Sequence, residues 1–126
     1  GHMLPVKREA GGVIWFDFAT LCGGPRSQND YLLLAHRFHT LFLSLVPMMG
    51  ADRASEARRF TWLVDVLYDQ RVKLVISAEV EAHDLYRSGT NANEFSRTVS
   101  RLIEMRSREY LAEPHRVEQP EQPAAA

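Results

Sequence analysis

The chain has 126 residues, enough for one domain that hides roughly two-thirds of its unfolded surface on folding. With 45% hydrophobic and 25% charged residues it is neither disordered nor fibrous, and 15 Lys+Arg against 16 Asp+Glu leave a net charge of −1, which removes the global electrostatic drive for binding nucleic acid. Its single cysteine, Cys22, excludes an internal disulfide and suits a reducing compartment. No apolar run approaches the roughly 18 residues of a membrane-spanning helix and no signal peptide is visible, so the expected setting is cytoplasmic.

Taken in chain order, residues 1–3 (Gly-His-Met) read as the remnant of an expression tag. Val13 to Phe18 is β-branched and aromatic behind Gly11-Gly12, and predicts a strand. Ser27, three residues ahead of Asp30, has the spacing of a capping box, and Tyr31, Leu34, Ala35 and Phe38 continue at helical intervals. Leu41 to Val46, closed by Pro47, is too short for a free-standing helix and predicts a buried strand. Phe60, Leu63, Val64, Leu67 and Tyr68 form one helical stripe, with Asp52 or Ser55 as its cap.

Val72 to Ser77 predicts a strand buried on both faces. A turn or two of helix is expected within Val80 to Tyr86, then a loop over Ser88 to Asn91. One final helix opens at Asn93, carrying Phe95, Val99, Leu102, Ile103 and Tyr110 inward and Arg97, Arg101, Glu104 and Arg108 on another side. Residues 114–126, proline-rich with little to bury, are expected to be a disordered tail.

Residues 4–113 thus predict one α/β domain: a small, mostly parallel three-stranded sheet with flanking helices in a three-layer arrangement, because each strand pair is separated by a helix long enough for a crossover. Strand order stays open. An edge left exposed on so small a sheet would favour dimerisation or swapping.

No catalytic motif is recognisable. Neither Gly11-Gly12 nor Gly23-Gly24 continues into the G-x-x-x-x-G-K-[ST] pattern that brings backbone and lysine to nucleotide phosphates. No nucleophile elbow or zinc motif occurs either. His36 and His39, three apart on the predicted helix, have a metal-pair spacing or flank the Phe38 contact. Asp65 and Asp69, one turn apart, read as an acid-base pair or as the solvated side of their helix. Cys22 reads as a small buried thiol or a nucleophile at a strand end.

Four arginines are the candidate phosphate or subunit contacts. Arg58 and Arg59 stand at the expected start of the long helix, where the positive dipole end disfavours cations unless something negative lies near. Arg97 and Arg101 belong to the charged stripe of the last helix, where Glu94, Glu104 and Glu109 are alternative partners.

Four blocks together resemble the C-terminal half of the ZapE family of P-loop, AAA-type ATPases, whose mitochondrial relatives include the lactation-elevated ATPase. They are Phe18–Cys22, Asp30–Pro47, Ala57–Tyr86 and Phe95–Leu111. Departures are Glu81-Ala82, where relatives often carry proline, and Arg106, where glutamine is common.

The resemblance implies a longer parent protein acting at the bacterial division ring, hydrolysing ATP with magnesium through Walker motifs upstream of Leu4. It makes this chain the C-terminal α/β part, not catalytic alone and not expected to bind ATP or a metal. The implied partners are the rest of its own chain, further subunits of a homo-oligomer and a division-ring protein, with no nucleic acid. The alternative reading is a stand-alone interaction or small-ligand module binding at strand ends near Cys22, Pro47 and Ser77.

Overall fold

A computed structural model describes residues 6–116. Residues 1–3, read as a tag remnant, lie outside the described residues, as do 117–126 of the expected tail.

The sheet has four strands: β1 (Arg8–Ala10), β2 (Val13–Asp17), β3 (Thr40–Val46) and β4 (Lys73–Ala78), side by side in that order. β2, β3 and β4 are parallel, as the intervening helices require, whereas β1 runs antiparallel to β2 across the Gly11-Gly12 turn. The three-stranded sheet expected from the sequence is therefore corrected to a mixed four-stranded one. β1 escaped prediction because its three residues are all exposed and bury no apolar face that would leave a pattern.

α1 (Phe18–Cys22) and α2 (Gln28–Arg37) connect β2 to β3, α3 (Ala54–Asp69) connects β3 to β4, and α4 (Phe95–Glu104) and α5 (Arg108–Ala112) follow. α1 takes over directly at Phe18, the residue expected to close the strand. Ser27 and Asp30 form the reciprocal capping box that starts α2. α3 begins after a 3-10 turn over Ala51–Arg53, with neither Asp52 nor Ser55 as its cap. The turn expected before Tyr86 is a single 3-10 turn, Ala82–Asp84.

With strands in sequential order, two right-handed crossovers advance in the same direction and lay their helices on the same face of the sheet. Ile14, Phe16, Leu41 and Leu43 are buried on that face, with Leu74 and Ile76 packed against the same core. The intervening residues form the opposite face, where Trp15, Phe42 and Val75 share one row of the register. Phe42 is 38% and Val75 48% exposed. The expected third layer is absent among the described residues, and β4 is not buried on both faces. On the open face Trp15 Nε1 donates to Ser44 Oγ at 2.9 Å, Ser44 Oγ donates to Asp17 at 2.7 Å, and Lys7 pairs with Asp17 at 3.4 Å.

The single final helix expected from Asn93 is broken in two. α4 ends at Glu104, and Ser107 opens α5 by accepting the Tyr110 amide at 3.1 Å. Met105, at the break, is buried, whereas Ile103, expected inward, still belongs to α4 but lies beside the stripe of Phe95, Thr98 and Leu102 that the helix buries, and is 46% exposed. Tyr110 still reaches the core, donating to the Val72 carbonyl at 2.7 Å. Beyond it, His115 bonds the Ala35 carbonyl at 2.6 Å and the Arg116 amide donates to Gln70 at 2.8 Å, so the described start of the expected tail lies against α2 and the end of α3.

Candidate functional site

In a parallel α/β sheet ligand chemistry gathers at the carboxyl ends of the strands. Here β2 runs without a loop into α1, a five-residue helix too short to stand alone. Its end is held by side chains that accept none of their bonds from amides but donate to carbonyls. Arg26 donates to Thr20 O at 3.0 Å, Tyr31 to Leu21 O at 2.9 Å and Arg59 Nε to Cys22 O at 2.7 Å, while the Gly23 amide closes on Ala19 O at 3.1 Å. Two guanidinium groups thus meet the carbonyl end of the helix, where cations are favoured.

That arrangement answers the question the sequence posed at Arg59. The helix begins at Ala54, which places Arg58 and Arg59 in its second turn, and the negative partner of Arg59 is the Cys22 carbonyl at the end of α1. Arg101 is likewise engaged, pairing with Asp65 and lying over the Tyr68 ring at 4.9 Å. Asp65 is therefore an ion-pair partner, and Asp69 is not drawn into the same contact.

Arg58 is different. It is exposed, and its guanidinium stacks 5.5 Å from the Trp62 ring one turn on. Both lie on a cavity of about 560 Å³ lined further by Tyr86, Asn91, Glu94 and Phe95. The cavity exists because α3 and α4 run parallel: Thr61 meets Thr98 at 3.3 Å, Asp65 meets Arg101, and Tyr68 donates to Glu104 at 2.7 Å. Their amino-terminal ends open side by side above the stacked Phe60 and Phe95 rings.

Tyr86 donates to Thr90 O at 2.6 Å and folds the 88–91 loop over the rim. Gly89, at φ +119°, sits where a Cβ would come within 2.6 Å of the Tyr86 hydroxyl and 2.9 Å of Ala51 Cα. The site therefore offers a guanidinium fork on one wall, a carboxylate on the other and aromatic floors between, which is contact chemistry rather than a nucleophile with its base. The sequence reading missed Trp62 and Glu94 as neighbours of Arg58. The i, i+4 spacing of Arg58 and Trp62 was a visible signal; Glu94 comes from another helix and left none. Arg97 is exposed on α4 beside Thr98.

The other candidates separate. α2 ends at Arg37, so His39 leaves the helix and does not share a face with His36. The His39 ring bonds Thr40 Oγ1 at 2.8 Å and Gly11 O at 3.1 Å. The described residues hold no group of three or more His, Cys, Asp and Glu side chains able to bind a metal. Cys22 is buried, and desolvation pushes its thiol from an ordinary 9.0 up to about 12 despite the 3.8 Å contact from the Tyr31 hydroxyl. Such a thiol stays protonated and unreactive. Burial raises Tyr31 and Tyr110 as well.

A nucleotide's phosphates do not fit the residues of this strand end. A phosphate cradle needs glycines that free the backbone for the ligand, but a Cβ on Gly23 would meet Ala19 O at 2.3 Å, so its bareness serves the end of α1. The neighbouring cations already hold carbonyls.

These features define a two-layer α/β domain with a parallel core, one open sheet face and a cavity at the amino ends of two helices. The sequence model of the AFG1-like ATPase family matches residues 1–114, and the chain belongs to that family. It is 50% identical over 98 residues to the cell division protein ZapE of Escherichia coli K12, covering 78% of this chain and 26% of that protein. An uncharacterized protein of Schizosaccharomyces pombe is 38% identical over 86 residues, covering 68% and 19%. Lactation elevated protein 1 homolog B of Danio rerio is 29% identical over 142 residues, covering 87% and 28%. No solved structure matches the chain. The resemblance to the ZapE family read from the four blocks stands, and the chain spans about a quarter of the length of the E. coli relative. No helix among the described residues is long and apolar enough to cross a membrane.

Proposed function

We propose that this chain is the C-terminal part of a bacterial cell-division ATPase of the cytoplasm, whose ATP and magnesium are held by Walker motifs in another part of the polypeptide. Its own role is to complete the ATPase fold and to present a contact to a neighbouring subunit or a division-ring partner. The observation that carries this reading is the pairing of family membership over residues 1–114 with a strand end whose arginines face carbonyls. A family of ATPases needs a phosphate site, and the arginines at this strand end are already bonded to the chain's own carbonyls.

Among the four candidate arginines, Arg58 and Arg97 keep exposed heads for an incoming phosphate or carboxylate, while Arg59 and Arg101 are committed within the chain. A guanidinium fork suits either anion. Calorimetry with ATP and magnesium is the direct test. Binding is expected for the full-length protein and not for this chain alone, and tight binding by this chain would refute the reading. In the full-length protein, Arg58→Ala and Arg97→Ala are expected to lower turnover.

A further inference from the structure

The two edges of the sheet are protected very differently. β1 is three residues long, with Arg8 and Glu9 exposed, the kind of short charged strand that discourages pairing. β4 is six residues, Lys-Leu-Val-Ile-Ser-Ala, and carries neither proline nor any charge after Lys73. Lys73 donates its amide to His39 O at 2.9 Å on the β3 side. Because backbone groups alternate in a parallel ladder, those of Leu74 and Ile76 point away from β3. Among the described residues β4 ends the sheet and pairs with β3 alone, so these amides face no further strand.

Beside that edge lies a groove of about 290 Å³, whose apolar walls are Leu74 and Ile76 of β4 facing Leu85, Leu102 and Met105, with Glu81 and Arg106 also lining it. Unpaired strand groups next to an apolar groove are the two elements of strand addition: main-chain bonds supply affinity and alternate side chains fill the pocket.

We propose that the β4 edge receives one further strand, an extended apolar segment from the nucleotide-binding part of the same, longer polypeptide. This rests on the reading that the chain is part of a larger ATPase. The E. coli relative carries most of its length outside the matched segment, which covers 26% of it, so such a segment is available in the family. A second copy of this chain fits less well. Two β4 strands paired about a two-fold axis would set their grooves side by side, each bringing only Leu74 and Ile76, which already form the walls. The space between would stay unfilled, against the close packing of protein interiors. A strand with its own apolar side chains fills it.

Hydrogen exchange resolved to single amides tests this on both molecules. In this chain alone, Leu74 and Ile76 are expected to exchange roughly a hundredfold faster than the ladder-bonded Val75 amide. In the full-length protein they should slow to the rate of Val75. Unchanged fast exchange of both amides in the full-length protein would overturn the proposal. Protection that appears in this chain alone as its concentration rises, together with a dimer in sedimentation equilibrium, would overturn it in favour of a second copy. ATP calorimetry on the same full-length sample keeps the two readings apart: protection without ATP binding leaves the added strand standing and removes the ATPase assignment.

Discussion

Arg58 and Arg59 are adjacent in sequence and should respond unequally to truncation. Arg59 Nε donates at 2.7 Å to the Cys22 carbonyl, a group at the end of a short helix that is otherwise left without an intrahelical partner. Hydrogen bonds to charged groups are worth about 1.5–3 kcal/mol, and the partial exposure of Arg59 reduces this to about 1–2 kcal/mol for Arg59→Ala. At this chain length the unfolding entropy near the midpoint converts each kcal/mol to roughly 4 °C, so a loss of about 4–8 °C in Tm is expected. Arg58 lies over the Trp62 face at 5.5 Å from an exposed position, and Arg58→Ala should cost about 0.5 kcal/mol, or roughly 2 °C. Thermal and urea unfolding of this chain followed by circular dichroism measures both. Equal destabilisation by the two variants, or a larger one from Arg58→Ala, would refute the assignment of Arg59 to the end of α1.

Two other predictions concern the interior. Tyr110→Phe removes the donor to Val72 O and leaves that carbonyl without its side-chain partner, so a loss of about 1–3 kcal/mol in urea unfolding is expected; a change within error would deny the hydroxyl its role. Burial raises Cys22 to about 12, so above pH 9 the unfolded chain releases a proton that the folded chain retains. Stability present below pH 9 is therefore lost as pH rises toward 12, by about 1.4 kcal/mol per pH unit for this group. Tyr31 and Tyr110, also raised by burial, add to the same slope above their ordinary value. Cys22→Ala should flatten the pH dependence measured by urea unfolding between pH 9 and 11, and an unaltered slope would contradict the buried thiol.

Where local chemistry decides, the sequence was readable. Ser27 and Asp30 contain their own capping box, and Phe60, Leu63, Val64 and Leu67 are all buried as their spacing requires. The break at Met105 to Ser107 was harder, because Ser107 looks like any polar helix residue until its side chain is seen capping the Tyr110 amide. The four arginines also looked alike as sequence. Two are committed within the chain because Cys22 O and Asp65 are brought to them from 37 and 36 residues away, and no i, i+4 rule reaches that far.

Composition, periodicity and the four blocks determined by themselves the α/β class, the parallel core and the family, since each is written in residues close together along the chain. Only the tertiary structure decided that the helices share one face, that β4 ends the sheet with an open apolar edge, and that Arg58 faces a cavity while Arg59 holds a helix end. Those outcomes follow from strand order and from contacts between distant segments, and the order in which strands lie side by side leaves no mark on the pattern within any one of them.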